Sequence, residues 1–331
     1  MIKLKTSIKY SAFLLIAAFG RFSVAWLCSK KGGRNLHWET PDEHCWIKCP
    51  SGNEFYAEMD GPVNAQPLVL VHGLDANRKQ WYYQRKYFNT TYRLFFIDLP
   101  GHGKSKIAKD LSLQTLAADL KTVLEHLHVK SPIIYGHSWG SSILIRYCLQ
   151  YPADLNAKGV ILHGGAYNNS LNAVQFAPVM KALQKPVIVP LVKLIKIAAP
   201  IFDVITWLNF SSGMTSFLAR FLYFTGQQTP AQLNYVARMA PNSNTKAVAE
   251  ALLQLLKSDT QAAQLKNIKV PTLVIGSVYD RLHQLKCSLF IHQQIPQSKF
   301  IVVKAGHQSL IEKHSKLNKG VEGFIRDLQI V

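Results

Sequence analysis

Between the apolar run Pro132-Ile133-Ile134-Tyr135 and an apolar helical stretch from Ile143 to Leu149 stands the pentapeptide Gly136-His137-Ser138-Trp139-Gly140. A chain that leaves a strand and enters a helix in so few residues turns sharply, and the apex residue is forced into strained backbone geometry. Side chains two positions either side of the apex would collide, and glycine at 136 and 140 removes that collision. The turn lifts the Ser138 hydroxyl above the end of the strand. Strand before and helix after are the context that separates this sequence from a chance glycine-rich turn.

The same alternation runs along most of the chain. Pro67–Val71 and Arg93–Asp98 are runs ending in His72-Gly73 and Pro100-Gly101, and Gly159–Leu162, Pro271–Ile275 and Lys299–Val303 read as later strands. Runs apolar on both faces suit a parallel sheet covered on both sides. Leu113, Leu116, Ala117, Leu120, Val123, Leu124 and Leu127 keep the spacing of one buried helical face. Cys45–Cys49 and Glu54–Met59, separated by Pro50-Ser51-Gly52-Asn53, read as an antiparallel pair. The pattern predicts an α/β fold, a mostly parallel doubly wound sheet with right-handed crossovers.

The alternation breaks between residues 166 and 267, which read as helices punctuated by Pro186, Pro190, Pro200 and Pro230. Thr229-Pro230 is a good helix start. Residues 45–165 and 268–331 are thus expected to form the core, and 166–267 a helical cap inserted over the sheet. Its most apolar part, Val187–Leu208, carries Lys193 and Lys196. It reads either as a helix pair packed on the core or as a lipid- or substrate-facing wall.

The N-terminus differs in kind. Lys3, Lys5 and Lys9 precede an apolar run from Tyr10 to Phe19, and the first acidic residue is Glu39. A basic stretch, an apolar stretch and the small-x-small sites Ala18-Phe19-Gly20 and Ser23-Val24-Ala25 fit a signal peptide. The run is short for a spanning helix of about 20 residues, and a tilted anchor from Tyr10 to Cys28 with Arg21 snorkelling is the alternative. Residues 1–28 are expected to lie outside the fold, with the protein exported or membrane-anchored.

Lys and Arg number 38 against 19 Asp and Glu, a formal charge of +19. Such a field favours anionic partners. With no base-reading element or aromatic-flanked basic stripe, nucleic acid is not expected, and an anionic membrane surface stands as the macromolecular partner. The charge is spread along the chain and by itself supports no specific function. The five cysteines are an odd number and make no disulfide framework. No zinc spacing occurs, and His126 and His128 face different directions, so neither metal nor cofactor is expected.

In its strand–turn–helix context, Gly136–Gly140 resembles the α/β-hydrolase superfamily, in the serine-hydrolase branch with a helical cap. Esterases, lipases of the monoacylglycerol type and proline iminopeptidases are among its members. The resemblance covers Trp46 to the C-terminus, with the cap matched by position alone. His72-Gly73-Leu74, directly after a strand, matches the oxyanion loop, which implies the backbone N–H groups of Leu74 and Trp139 as oxyanion donors and His72 as a loop-holding residue. Asp98-Leu99-Pro100-Gly101-His102-Gly103-Lys104-Ser105 resembles the family's D-x-x-G-x-G-x-S loop. It is not a phosphate loop, because a Walker A motif needs glycine where Asp98 stands.

The same resemblance implies a Ser…Asp…His order. Asp280 follows the strand ending at Ile275. His307 follows the strand ending at Val303, with Glu312 five residues on as in many relatives. His163 precedes Gly164-Gly165-Ala166, where some relatives place the acid, but no carboxylate occurs there. His137 sits on a turn expected to point it away from the nucleophile.

These assignments imply a serine hydrolase that cleaves a carboxylic ester of a small molecule or lipid through an acyl-enzyme. A carboxylate at position 138, as in epoxide- and halide-cleaving relatives, would imply otherwise. The apolar cap residues Phe176, Val179, Met180, Ile201, Phe202, Trp207, Phe217 and Phe221 suggest an apolar, lipid-like acyl group. Amide hydrolysis of the proline-iminopeptidase type, carbon–carbon bond hydrolysis and non-catalytic lipid binding are the alternatives.

Overall fold

Eight strands pair in the order β1-β2-β4-β3-β5-β6-β7-β8. They are β1 (Glu43–Lys48), β2 (Glu54–Asp60), β3 (Pro67–Val71), β4 (Arg93–Asp98), β5 (Ile133–His137), β6 (Gly159–His163), β7 (Thr272–Ser277) and β8 (Lys299–Val303). The pairs β1–β2 and β2–β4 are antiparallel and the rest parallel. The computed structural model describes residues 20–106, 110–152, 156–257 and 261–328.

The strand runs are apolar throughout because both faces of the sheet are covered. Val69, Val71, Ile97, Ile134, Val160, Leu162 and Val274 point into one core, beneath α2 (Leu113–His126), α3 (Trp139–Gln150) and α10 (Leu285–Gln294). Their neighbours Leu68, Leu70, Leu94, Phe96, Ile133, Tyr135, Ile161, Leu273 and Ile275 point into the other, against α1 (Tyr82–Phe88) and α12 (His314–Asp327). β3 lies between β4 and β5, so the chain winds outward in both directions from that point. Open α/β sheets bind ligands in the crevice such a reversal leaves at the carboxyl ends of their strands.

Between β6 and β7 come the helices α4 (Ala177–Leu183), α5 (Val189–Ile197), α6 (Ala199–Ser212), α7 (Met214–Tyr223), α8 (Pro230–Ala237) and α9 (Thr245–Lys257). Thr229 caps α8 with a full capping box, its side chain accepting from the Gln232 N–H while Gln232 accepts from the Thr229 N–H. Short α11 (Ser309–Glu312) precedes α12.

Two expectations change in the structure. Residues 20–28 belong to the folded body: Ala25 is fully buried in the second core and Cys28 packs against it. The signal-or-anchor reading otherwise concerns residues 1–19, which lie outside the described residues. Among the described residues no helix is long and apolar enough to cross a membrane. His126 and His128, read as flanking Leu127 on a helix, are separated by its end: His126 closes α2 and His128 lies beyond it at φ 51°.

A buried charge cluster ties the antiparallel edge to the crevice. Arg78 pairs with Glu58 at 2.7 Å and with Asp98 at 2.5 Å, and all three side chains are at most 5% exposed. Asp98 also accepts the N–H groups of Arg78 and Lys104, so it fixes the loops after both β3 and β4. Arg78→Met leaves two buried carboxylates without their cation. We expect a loss of about 3–5 kcal/mol in urea denaturation; a loss under about 1 kcal/mol would show the cluster to be dispensable.

Candidate active site

The turn after β5 has the strain its sequence predicts. Ser138 sits at φ 54°, ψ −115°, held by its N–H to the His163 carbonyl (2.8 Å) and by the Ser142 N–H to its own carbonyl. A Cβ at Gly136 would stand 2.7 Å from the Gly140 carbonyl, and one at Gly140 would stand 2.3 Å from the Val71 carbonyl. Both are far inside contact distance, so neither position tolerates a side chain.

Ser138, Trp139, Leu74 and His307 line one cavity of about 410 Å³, within the usual range for small-molecule sites. Asp280 stands behind His307, its Oδ2 bonded to His307 Nδ1 at 2.8 Å. Its Oδ1 accepts the N–H groups of Leu282 and His283. Burial pushes the Asp280 carboxyl up, but the adjacent His307 and these hydrogen bonds outweigh it, and the group ends below the usual carboxylate range. With Nδ1 engaged, Nε2 of His307 is the nitrogen left for proton transfer. Among the described residues, neither the Leu74 nor the Trp139 N–H has a protein acceptor.

Both ring nitrogens of His137 are bonded away from Ser138. It lies under His307, ring centroids 4.8 Å apart, and its Nε2 donates to the His307 carbonyl at 3.0 Å. Gln80 donates to His137 Nδ1 and to Gln308 Oε1, both at 3.2 Å, and accepts the Gly73 N–H at 3.1 Å. One amide thus joins the Gly73–Leu74 loop, the serine turn and the His307 loop. Nothing in the sequence around Gln80 signals this. His163 is structural, between the Tyr135 hydroxyl (2.9 Å) and Ser309 Oγ (2.7 Å). His72 holds its loop as expected, with Nδ1 on the Gly73 carbonyl and Nε2 accepting the Leu99 N–H. Glu312 accepts the Gly306 N–H beside His307 and the N–H groups of Thr225 and Gln227 in the cap.

Two other cavity residues escaped sequence reasoning. Asp75, next to Leu74, is pushed up to about 6 by loss of solvent. His283 stacks on His307 at 5.3 Å. Asp280, His283 and His307 bring one ligand atom each within 4.8 Å, the spacing of a metal site. The Asp280 and His307 atoms are, however, already bonded to one another.

The cavity's apolar wall differs from the expected one. None of the eight cap residues singled out from the sequence lines it; Leu74, Leu171, Val174, Leu218, Leu222, Val236, Met239, Leu252, Leu255 and Leu282 do. Apolar content locates a cap but not the face each helix turns inward.

A family model described as the alpha/beta hydrolase fold matches residues 66–185. An esterase structure from Thermogutta terrifontis superposes with a TM-score of 0.71 at 21% identity, covering 86% of this chain and 99% of that one. The chain has the α/β-hydrolase fold. In sequence it is similar to 3-oxoadipate enol-lactonase 1 of Acinetobacter baylyi, 22% identical over 284 residues, 84% of this chain and 95% of the relative. A 120-residue stretch is 30% identical to a protein named "Probable proline iminopeptidase" of Streptomyces coelicolor, covering 34% of this chain and 37% of that one.

The histidines around the site set an acid limit on the fold. Burial holds His72 down to about 4 and His102 and His163 down to about 3, so all three are neutral when folded. Unfolded, each takes up its proton near pH 6.5. As pH falls below 6.5 the unfolded chain binds protons the folded chain refuses, and each histidine removes up to about 1.4 kcal/mol of stability per pH unit. Urea midpoints should therefore fall steeply from pH 7 to pH 5. A flat profile would mean these rings titrate freely in the fold.

Proposed function

We propose that this protein is a serine hydrolase cleaving carboxylic esters with an apolar acyl group, through an acyl-enzyme formed on Ser138. The observation that carries the reading is the convergence in one largely apolar cavity of a strained serine and a histidine bonded to a buried carboxylate. Ser138 Oγ attacks the ester carbonyl carbon and passes its proton to His307 Nε2. Asp280 keeps the proton on Nδ1 and balances the imidazolium that forms. The Leu74 and Trp139 N–H groups receive the oxyanion. Collapse expels the alcohol, which takes the proton from His307, and water repeats the sequence to release the acid.

Ester fits better than an aminoacyl amide. A free amine needs a carboxylate partner, and among the described lining residues Asp75 is the single acid. The cap acids among the described residues are occupied elsewhere, Asp203 by the Thr245 N–H and Glu250 by Lys196 and Gln254.

Two measurements test this. Fluorophosphonate labelling of the wild type should disappear in Ser138→Ala and His307→Ala, with ester turnover of Ser138→Ala down by about 10⁴–10⁶ and its melting temperature unchanged. Persistent labelling of Ser138→Ala would reject the nucleophile. Asp280→Asn should lose about 10⁴ in kcat with the fold intact, and a wild-type rate would assign the role to another acid. In a chain-length series, butyryl and longer esters should exceed acetyl esters in kcat/KM; the reverse order would reject the apolar acyl site.

A further inference from the structure

Helix α6 is built inside out. Its polar Thr206 and Asn209 line the cavity, while Ile201, Val204 and Trp207 stand at the surface, Ile201 and Trp207 63% and 57% exposed. The helices on either side also carry apolar outer stripes: α5 exposes Leu191, Leu194 and Ile197, and α7 exposes Met214, Phe217 and Phe221, spaced three or four residues apart. A water-facing helix turns its polar stripe outward. Three successive helices with apolar outer stripes exceed the scattered hydrophobics of an ordinary monomer surface.

Two observations identify what covers this face. The first is charge. Residues 176–224 carry Lys181, Lys185, Lys193, Lys196 and Arg220 against one acid, Asp203. Lys196 is engaged by Glu250, whereas Lys181, Lys185 and Lys193 are exposed. A second copy of a chain carrying +19 would meet repulsion here, and an anionic surface would not.

The second is where the chain's N-terminal end joins the fold. The helix at residues 20–27 lies against the junction of α6 and α7, where a Cβ at Gly213 would stand 2.7 Å from Val24 Cγ2. Arg21 stacks on Phe210 at 4.7 Å. Phe22, Trp26 and Leu27 of that helix are exposed. Residue 20, to which the sequence with Lys3, Lys5, Lys9 and the apolar run Tyr10–Phe19 is joined, therefore lies beside the apolar face of the cap.

We propose that the outer face of the cap, α5 to α7 together with the helix at 20–27, docks on the surface of an anionic phospholipid bilayer. The apolar stripes enter the headgroup–acyl boundary and the lysines pair with lipid phosphates. The cavity, walled by the inner sides of α6 and α7, then lies about one helix diameter, ~10 Å, from the lipid.

The test reads binding and not turnover, so it succeeds or fails independently of the Ser138 assignment. Full-length protein is floated with phosphatidylcholine vesicles and with vesicles containing about 30% phosphatidylglycerol, at low and at high salt. Wild type should float with the anionic vesicles, less so at high salt. Ile201→Glu/Trp207→Glu should partition about tenfold more weakly, and Lys185→Glu/Lys193→Glu should lose the anionic preference.

Wild type that fails to float overturns the proposal. Unchanged flotation of the Ile201→Glu/Trp207→Glu variant also overturns it, since the N-terminal segment alone would then hold the lipid. A dimer in light scattering that these substitutions dissolve, without flotation, would make a second copy the occupant. Circular dichroism melts confirm folding of each variant. Should the double variant not fold, quenching of tryptophan emission by brominated lipid decides: wild type should be quenched more than Trp207→Phe, and equal quenching counts against docking.

Discussion

The cavity edge of the sheet depends on one close approach, the Gly140 backbone lying against the carbonyls of Val71 and His72. It brings the start of α3 under the end of β3, so two loops that leave different strands share one crevice. Gly73 follows directly, so near the elbow that a Cβ there would be 3.0 Å from Ser138 Cβ. Neither the strained φ of Ser138 nor the free N–H groups of Leu74 and Trp139 could be held by one loop alone. Each is fixed because the other backbone fills the space it would relax into.

Around that contact four histidines are buried with their ring nitrogens paired. His72, His102, His137 and His163 each have both ring nitrogens bonded. In a low-dielectric interior a neutral imidazole with both nitrogens engaged has a set tautomer and orientation. His137 can thus donate to the His307 carbonyl while accepting from Gln80. The cost of such a network is its exposure to acid, because protonating any ring makes an acceptor into a donor.

What the sequence displayed, and what it hid, follows from the range of the signals. β3 and β4 were legible to the residue because a strand covered on both faces leaves an unbroken apolar run, and Thr229-Pro230 marked a helix start by local chemistry. Ser138 was legible because its glycines answer a local collision. Gln80, His137 and His283 were not, since their partners lie 57, 170 and more than 20 residues away and nothing nearby marks them. The cap shows a different limit. Val187–Leu208 announced itself as apolar, which fits either a helix pair packed on the core or a wall facing lipid or substrate. In α6 the polar side faces the cavity and the apolar side the exterior. Residues 20–28 were assigned with the segment before them because hydropathy does not report that Ala25 fits the second core.

The cap is not a free lid, and Glu312 is the reason. One oxygen of its carboxylate holds the Gly306 N–H next to His307, and the other holds Thr225 and Gln227 just past the end of α7. The Tyr223 carbonyl in turn accepts the Gln308 N–H. The last turn of α7 and the His307 loop are therefore one mechanical unit. A displacement of that turn would drag His307 from Asp280, with which it shares a single 2.8 Å bond. Upstream of Tyr223, in α4 to α6, the cap is held differently. There α5 is fastened to α9 by Val192 against Ala249 and Leu253, a small cluster separate from both main cores. The cap is thus tied at two places, to the His307 loop through Glu312 and within itself through α5 and α9.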